Sequence, residues 1–445
     1  MTVLGHLKAT VRPWLGPALR SFGLRQPPAM KVPHVSRSER LRDYDVPTQV
    51  SVRADETLLL NGRPFFPLGV YNAQAEIEER SGAGLQALRA TGFNTILVDG
   101  ALEPETLDRI AGAGLFVCCR PPGQLHGAFA ALKAVVSRVA RHPALLAWEM
   151  DDEPILNRLP INHMRRGCDL VRRIDPFHPI LCNQWFPGAS RLDEVRRWAN
   201  LADVHGFAVY PVPLRRWRAR PRPDGNDLPD SIAVVGAQVG LWRKLAPGKP
   251  VVPALQAFAW NALEDNDAGF PTVNESRFMA YHSIVAGARG LHHYGVPTAD
   301  VPCFPCGVPP ALHADLNRTH EDFLLARAAN ERFWSGYRHV IAELASMSDV
   351  FTAPDAMAPV NEGDLQYRVK TVAGSSVILA VHTAANGARH EVRAPSLAGR
   401  QLRVWGHART IAADGRGCFS EQFEPFGVRI FSDLTDRLPQ ASGGS

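Results

Sequence analysis

The residues most able to do chemistry lie in Leu145-Leu146-Ala147-Trp148-Glu149-Met150-Asp151-Asp152-Glu153-Pro154, where an apolar run leads into closely spaced carboxylates and stops at proline. Strand side chains alternate with a period of two, so an extended reading puts Glu149, Asp151 and Glu153 on one face. Trp148, Met150 and Asp152 then fall on the other. Like charges sharing a face disfavour one another's ionised forms, which predicts that at least one of these carboxyls has a raised pKa. A carboxyl that stays protonated near neutral pH is what a general acid requires. The same residues also fit the acidic first turn of a helix opening at Pro154.

Such an acid has to be delivered by a scaffold, and the surrounding pattern supplies one. From about residue 51 to 345, short apolar strands alternate with amphipathic helices, the signature of parallel strands joined by crossover helices. The predicted strands are Phe65 to Tyr71, Thr95 to Asp99, Leu115 to Arg120, Leu145 to Glu153, Ile180 to Trp185, Val204 to Tyr210, Val251 to Phe258 and Gly290 to Gly295. Between them, Phe129, Leu132, Val136 and Val139 recur at helical spacing, as do Ile161, Met164, Cys168 and Val171. Gly92, Gly114 and Gly248 precede strands, where helices must end. Eight strand and helix pairs predict an α/β fold, a closed (β/α)₈ TIM barrel spanning 50–345. Leu58 to Phe65 reads as a hairpin with an Asn61-Gly62 turn that closes the barrel's bottom.

After residue 345 the rhythm changes to short strands separated by Gly, Asn and Pro: Leu365 to Thr371, Val377 to Thr383, His390 to Ala394, Gln401 to Trp405, Ile411, and Gly427 to Phe431. This predicts a small C-terminal antiparallel β-sandwich domain over 346–434, packed on the barrel, with a flexible tail at 435–445. Residues 1–49 form a basic, proline-containing extension, read as a disordered tail or a short amphipathic helix. They carry no long apolar segment with a small-residue cleavage site, so the expected location is cytoplasmic.

In a barrel, function sits at the C-terminal strand ends. Those ends supply Tyr71, Asp99, Arg120, Asp152 with Glu153, Asn183 with Trp185, Tyr210, Gln256 with Phe258 and Trp260, and Tyr294. Aromatic faces stack on the apolar faces of sugar rings while polar groups take the hydroxyls, so this rim is read as carbohydrate-binding. Tyr71, Asp99, Asn183, Trp185, Tyr210, Phe258, Trp260 and Tyr294 are the candidate substrate contacts.

Bulk composition narrows the partners. The chain has 445 residues, 45% hydrophobic and 21% charged, with a net charge of +5. That excess is small, and no basic stripe is interleaved with stacking aromatics, which argues against nucleic acid. No apolar run reaches membrane-spanning length. The glycine-rich nucleotide fingerprint is absent. Seven cysteines are an odd number, and most read as reduced core residues, while the lone Cys303-Phe304-Pro305-Cys306 lacks the second pair that zinc needs. The reading is of chemistry without metal or cofactor. Arg215, Arg216, Trp217, Arg218, Arg220 and Arg222 follow the sixth strand. They read as a solvated charge run or, if they line the cleft, as a preference for anionic sugars.

With these residues in view, the chain resembles the clan of retaining glycoside hydrolases built on a (β/α)₈ barrel, often called clan A, over roughly residues 50 to 434. Leu60-Asn61-Gly62-Arg63-Pro64-Phe65-Phe66-Pro67-Leu68-Gly69-Val70-Tyr71 resembles the opening barrel segment of β-galactosidase-like members. Trp148 through Pro154 is similar to their fourth-strand motif, which ends in Asn-Glu-Pro. The resemblance implies that Glu153 is the acid/base, with Asp152 standing where the family has Asn. Ala202 to Pro211 is similar to the sixth-strand motif whose tyrosine, here Tyr210, lies beside the reacting sugar.

The chain departs from the clan at the seventh strand, where the nucleophilic Glu is replaced by Gln256. An amide cannot form the covalent glycosyl intermediate of a retaining mechanism. One alternative is inversion, with Asp99, Glu264 or Asp265 activating water about 6.5–9.5 Å from the acid. A second is attack by a substrate 2-acetamido group, for which Glu149-x-Asp151-x-Glu153 partly matches chitinase-like barrels. A third is a nucleophile supplied by Glu264 or another loop residue, and a fourth is glycan binding without cleavage. The expected function is hydrolysis of O-glycosidic bonds in an oligo- or polysaccharide, with Glu153, Asp152, Gln256 and Glu264 as the candidate catalytic positions. Glu153, Gln256, Tyr210 and Trp260 are expected to converge on one pocket at the C-terminal rim.

Overall fold

The computed structural model describes residues 47–433 apart from positions 72, 101, 122–128, 185–191, 215–227, 260–268 and 296–319. Eight parallel strands close a barrel: β4 (Leu68–Val70), β5 (Thr95–Asp99), β6 (Phe116–Arg120), β7 (Leu145–Glu149), β8 (Ile180–Gln184), β9 (Val204–Ala208), β10 (Val251–Gln256) and β11 (Leu291–Tyr294). Pairing of Leu291 with Leu68 between β11 and β4 closes the ring. These strands read as continuous apolar runs because both faces are covered. Leu97, Cys118, Ala147, Leu181, Val204 and Val252 cluster inside the barrel. Their neighbours Ile96, Val117, Trp148, Ile180, Cys182 and Phe207 belong to the core shared with the helices. The strands thus alternate inward and outward, and every substitution on them is felt by one of two packed layers.

The helices are held by the stripes the sequence shows. Leu132, Val135, Val136 and Val139 are the buried residues of helix Phe129–Val139, and Met164, Cys168 and Val171 are buried on Ile161–Ile174. Helix Val273–Ala286 starts at Thr272, which accepts the Glu275 amide while the Glu275 side chain accepts the Thr272 amide. This reciprocal cap satisfies two amide donors that the first helical turn leaves open. On the outer face of β7, Trp148 donates to Asp175 Oδ2 at 2.7 Å, and Asp175 also meets His178 Nδ1 at 2.8 Å. This fixes Trp148 toward the helices and so turns its neighbour Glu149 inward.

The barrel bottom is sealed by β1 (Val50–Val52), β2 (Leu58–Leu60) and β3 (Arg63–Pro64), an antiparallel sheet in which Leu60 pairs with Arg63. Asn61 and Gly62 have φ of 51° and 77°, the positive angles that a two-residue hairpin turn requires. Leu58 is buried and packs into the interior cluster with Val50, Leu60 and Phe65.

The C-terminal strands are β12 (Val360–Glu362), β13 (Leu365–Val372), β14 (Ser375–His382), β15 (Ala388–Arg393), β16 (Gln401–Val404), β17 (Thr410–Ala412), β18 (Cys418–Phe423) and β19 (Val428–Ser432). They form a six-stranded antiparallel sheet, β12-β13-β14-β19-β16-β17, and a two-stranded layer, β15-β18. Val377, Leu379, Val381, Val428 and Ile430 join the barrel core, while Tyr367, Val369, Ile378 and Phe431 pack with Val392, Phe419 and Phe423. Arg368 ties the sheet to the helix layer, donating from Nε to the Val285 carbonyl at 2.6 Å and from Nη1 to Asp355 at 2.6 Å.

Two local expectations are corrected. β18 went unread because its alternation of buried and exposed residues in Cys-Phe-Ser-Glu-Gln-Phe includes a buried Glu421. More consequentially, β7 stops at Glu149 instead of running to Glu153.

Candidate active site

The carboxylate segment kinks where an extended strand was expected. Met150 N donates to Leu181 O at 2.9 Å and Glu153 N to Asn183 O at 2.9 Å, so three steps along this chain span two steps along β8. The extra residue is a bulge-like irregularity that breaks the period of two. Glu149, Asp151 and Glu153 therefore do not form one face, and Asp152 joins Glu149 beside Arg120. Glu153 takes a φ of 47°, a left-handed conformation costing a non-glycine residue about 1 kcal/mol or more. It is buried, and its carbonyl accepts Asn157 N at 2.9 Å in the turn that follows.

Beneath this kink lies an ion-paired cluster at the strand ends. Arg120 ends β6 in register with Asp99. Its Nη1 meets Asp99 Oδ1 at 2.8 Å, and its Nη2 meets Glu149 Oε1 at 2.7 Å and Asp152 Oδ1 at 3.7 Å. Glu149 Oε1 also accepts the Tyr71 hydroxyl at 2.9 Å. Asn183 Nδ2 donates to Asp152 Oδ1 at 3.2 Å. Glu149 is 1% exposed, whereas the Asp99 side chain is 74% exposed at the mouth.

Electrostatics follow from this placement. Burial pushes the Glu149 carboxyl above the ordinary range, against the pull of Arg120, with nearby Asp152 pushing the same way. Burial works to lower Arg120, but Glu149, Asp152 and Asp99 outweigh it and hold the guanidinium firmly charged. Tyr71 is held far above a free phenol, first by burial and then by Glu149. Tyr210 is raised by burial, Tyr294 and Glu153, which puts Glu153 within electrostatic reach of its hydroxyl.

An aromatic cluster adjoins the carboxylates through Tyr71. Tyr210 stacks on Tyr294 with centroids 5.7 Å apart, and Phe258 meets Tyr210 edge-on at 5.0 Å and Tyr294 at 5.7 Å. Tyr71 lies 5.8 Å from Tyr294. Phe258 is 1% exposed and Tyr71 8%, so these two back the mouth instead of presenting a free face to it. Tyr210 and Tyr294 are only half-buried.

Gln256 ends β10 in register with Tyr294, and its amide is fully engaged by backbone. Its Oε1 accepts Val212 N at 3.0 Å, while Nε2 donates to Val212 O at 2.7 Å and Phe258 O at 3.0 Å. Gln256 thus stands at a C-terminal strand end, as the sequence leads one to expect, with its amide bonded to backbone. It ties the chain after β9 to the chain after β10, because a buried amide with both of its ends matched to carbonyl and amide groups is most stable left in place. Trp185, Trp260, Glu264, Asp265, Cys303, Cys306 and the arginines at 215–222 lie outside the described residues.

The site list built from sequence lacks Arg120 and Glu149, which stood only among strand ends and motif residues. Their signal was available: each sits two positions after an inward apolar residue, Cys118 and Ala147, at the end of its strand. Among the described residues no group of three or more His, Cys, Asp or Glu is arranged to hold a metal ion, and no helix is long and apolar enough to cross a membrane.

No family model and no curated protein matches the sequence. Among solved structures the chain is similar to a glycoside hydrolase family 5 protein from Bacteroides vulgatus, with TM-score 0.59 and 14% identity over 86% of this chain and 93% of that one. It is also similar to a protein described as a glycoside hydrolase, with TM-score 0.55 and 13% identity over 87% and 97% of the two chains. An α-amylase from Geobacillus thermoleovorans in complex with acarbose gives TM-score 0.51 and 8% identity over 86% and 99%. At these identities the likeness is one of fold.

Proposed function

We propose that this chain hydrolyses O-glycosidic bonds in an oligo- or polysaccharide, with Glu153 as the general acid. The observation that carries the reading is Glu153 itself, buried in a left-handed kink just beyond the C-terminal end of a barrel strand, next to Asp152 in the chain and within electrostatic reach of Tyr210. Strain of this kind persists where the surroundings over-determine it, and it concentrates at functional sites. The fold likeness to glycoside hydrolases supports the same direction.

In this reading Glu153 protonates the leaving oxygen while Tyr210 and Tyr294 line the sugar. Gln256 supplies no nucleophile, since its amide is bound to Val212 and Phe258. The reaction is then inverting or substrate-assisted. Inversion needs a second carboxylate roughly 6.5–9.5 Å away to activate water, and Asp99, exposed at the mouth two strands from β7, is the described candidate. A substrate-assisted route needs a 2-acetamido sugar instead. The test is a panel of aryl glycosides and oligosaccharides with the product anomer followed by NMR. Inversion, or retention confined to 2-acetamido sugars, is the expected result, and retention on an ordinary hexoside rules out both routes.

The second reading, a barrel that binds carbohydrate without cleaving it, is favoured by the engagement of Gln256 at the position where the clan carries its nucleophile. It becomes the better account if no panel substrate is turned over, glycans still bind, and Glu153→Gln leaves that binding unchanged.

A further inference from the structure

The cluster beneath Glu153 is larger than a general acid needs. One guanidinium faces three carboxylates drawn from different parts of the rim: Asp99 from β5, Glu149 from β7 and Asp152 from the kink. The innermost of these, Glu149, also takes the Tyr71 hydroxyl from β4. A buried carboxylate with a charged donor at 2.7 Å and a phenol at 2.9 Å is a fixed anchor, because losing either donor leaves a desolvated acid without compensation. Arg120 is fixed by that anchor in turn, and its planar fork can then serve Asp99 with one nitrogen and Asp152 with the other. Asn183 holds the same Asp152 oxygen from β8.

Asp152 is the chain neighbour of Glu153, so whatever fixes its place and charge acts on the acid at short range. We propose that Arg120, clamped by buried Glu149, is a positioning residue that holds Asp152 at the mouth and balances the charge around Glu153, so that this cluster sets the pH span of activity. The inference rests on the glycosidase reading for its kinetic readout alone.

The titratable and charged groups at the cluster, among the described residues, come from strands around the barrel. Tyr71 stands on β4, Asp99 on β5, Arg120 with Cys118 and Cys119 on β6, Glu149 on β7 with Asp151, Asp152 and Glu153 beyond it, Cys182 on β8, Tyr210 beyond β9 and Tyr294 on β11. Asn183 on β8 and Gln256 on β10 are neutral amides. Tyr71, Tyr210 and Cys118 are all held well above their ordinary ranges, first by burial, so they stay neutral across the working range. Among the described residues the cation in this ring is Arg120, and its removal shifts the balance in a direction opposite to removal of Glu149.

The test uses the full chain and the pH profile of kcat/KM. Arg120→Met takes away positive charge and moves both limbs to higher pH, by about one unit, the low end of what an adjacent guanidinium does to a carboxylate. Glu149→Gln keeps shape and hydrogen bonds but removes negative charge, and moves both limbs to lower pH. Arg120→Lys keeps the charge and leaves the limbs near their original places even where kcat falls. A merely structural pair would lower activity in all variants without opposite displacements, and limbs that stay fixed or move the same way in Arg120→Met and Glu149→Gln overturn the proposal.

If Arg120→Met fails to fold, Arg120→Gln replaces it, with the same move of both limbs to higher pH expected and no move counting against. If the wild type turns over no substrate, the glycosidase reading fails by itself. The pair is then read by carbon-13 titration of the Glu149 carboxyl, which should titrate higher in Arg120→Met, or failing that variant in Arg120→Gln, and be unmoved in Arg120→Lys. An unmoved Glu149 in the charge-removing variants sinks the inference independently of any substrate.

Discussion

The two ends of the barrel are built from the same strands and behave as different materials. At the bottom, the hairpin residues Val50, Leu58 and Phe65 seal an interior of Cys118, Leu146, Leu181, Val204 and Val252. One inward position, or two residues, further along, the side chains turn polar: Leu97 gives way to Asp99, Cys118 to Arg120, Ala147 to Glu149, Leu181 to Asn183 and Ala254 to Gln256. A single step of the pleat, roughly 6–7 Å of strand, separates a sealed apolar layer from a ring of charge. The apolar seal lies at the closed end and the charged cluster at the open one, as barrel architecture allows, since the loops at one rim can vary without disturbing the other.

That division can be broken or sharpened by substitution. The largest expected effect is at the open end, where Glu153→Gln should lower turnover on substrates with poor leaving groups by about 10²–10⁴. Aryl glycosides with good leaving groups should lose less, and thermal melting should hardly change. A variant with full turnover on a natural oligosaccharide would remove Glu153 from the chemistry.

At the closed end the converse is expected. Leu58→Ala deletes a buried plug residue and should cost about 3 kcal/mol in denaturant unfolding, with kcat/KM per folded molecule unchanged. A comparable loss of kcat/KM would show that the two ends are coupled. Gln256→Leu lies between them. It strands Val212 and Phe258 backbone groups and should cost about 2 kcal/mol, with KM raised more than kcat is lowered, because the chain beyond Tyr210 loses its tie.

The remaining effects are in pH dependence, and their signs oppose. His292 and His293 are pushed down to about 3, first by burial. Their unfolded forms take up protons that the folded ones refuse, so the stability they contribute is complete above pH 6.5 and lost as pH falls, by roughly 1 kcal/mol per unit for each. Glu149 is pushed up, so its folded form holds the proton longer, and its contribution is present at low pH and declines as pH rises through its folded value. Urea unfolding from pH 7 to 5 should show falling stability, and His292→Gln should flatten the slope. An unchanged slope in that variant would assign the acid sensitivity elsewhere.

Much of this was legible in the chain. Alternation of apolar strands with amphipathic helices predicted eight strands and a closed barrel, because a strand covered on both faces must be apolar throughout and a helix covering it must be striped. The Asn61-Gly62 turn and the capping pair of Thr272 and Glu275 are local devices whose geometry depends on the residues themselves. Glu153 was legible as a carboxylate close to a strand end, and so was the absence of a carboxylate at Gln256.

Three things waited for the tertiary structure. The kink between Met150 and Glu153 comes from pairing with β8, whose register no local pattern carries, and it moves Asp152 to the side of Glu149. The role of Gln256 depends on Val212, 44 positions away, so an amide that reads as a substituted nucleophile turns out to be a tie between loops. The grouping of Asp99, Arg120, Glu149 and Tyr71 comes from four separate strands. Sequence determines which residues a strand end can present, since side-chain type and alternation are local. Which of them share a proton or a charge is decided only when the ring closes, because electrostatic energy depends on distance through space and the chain does not encode that distance along itself.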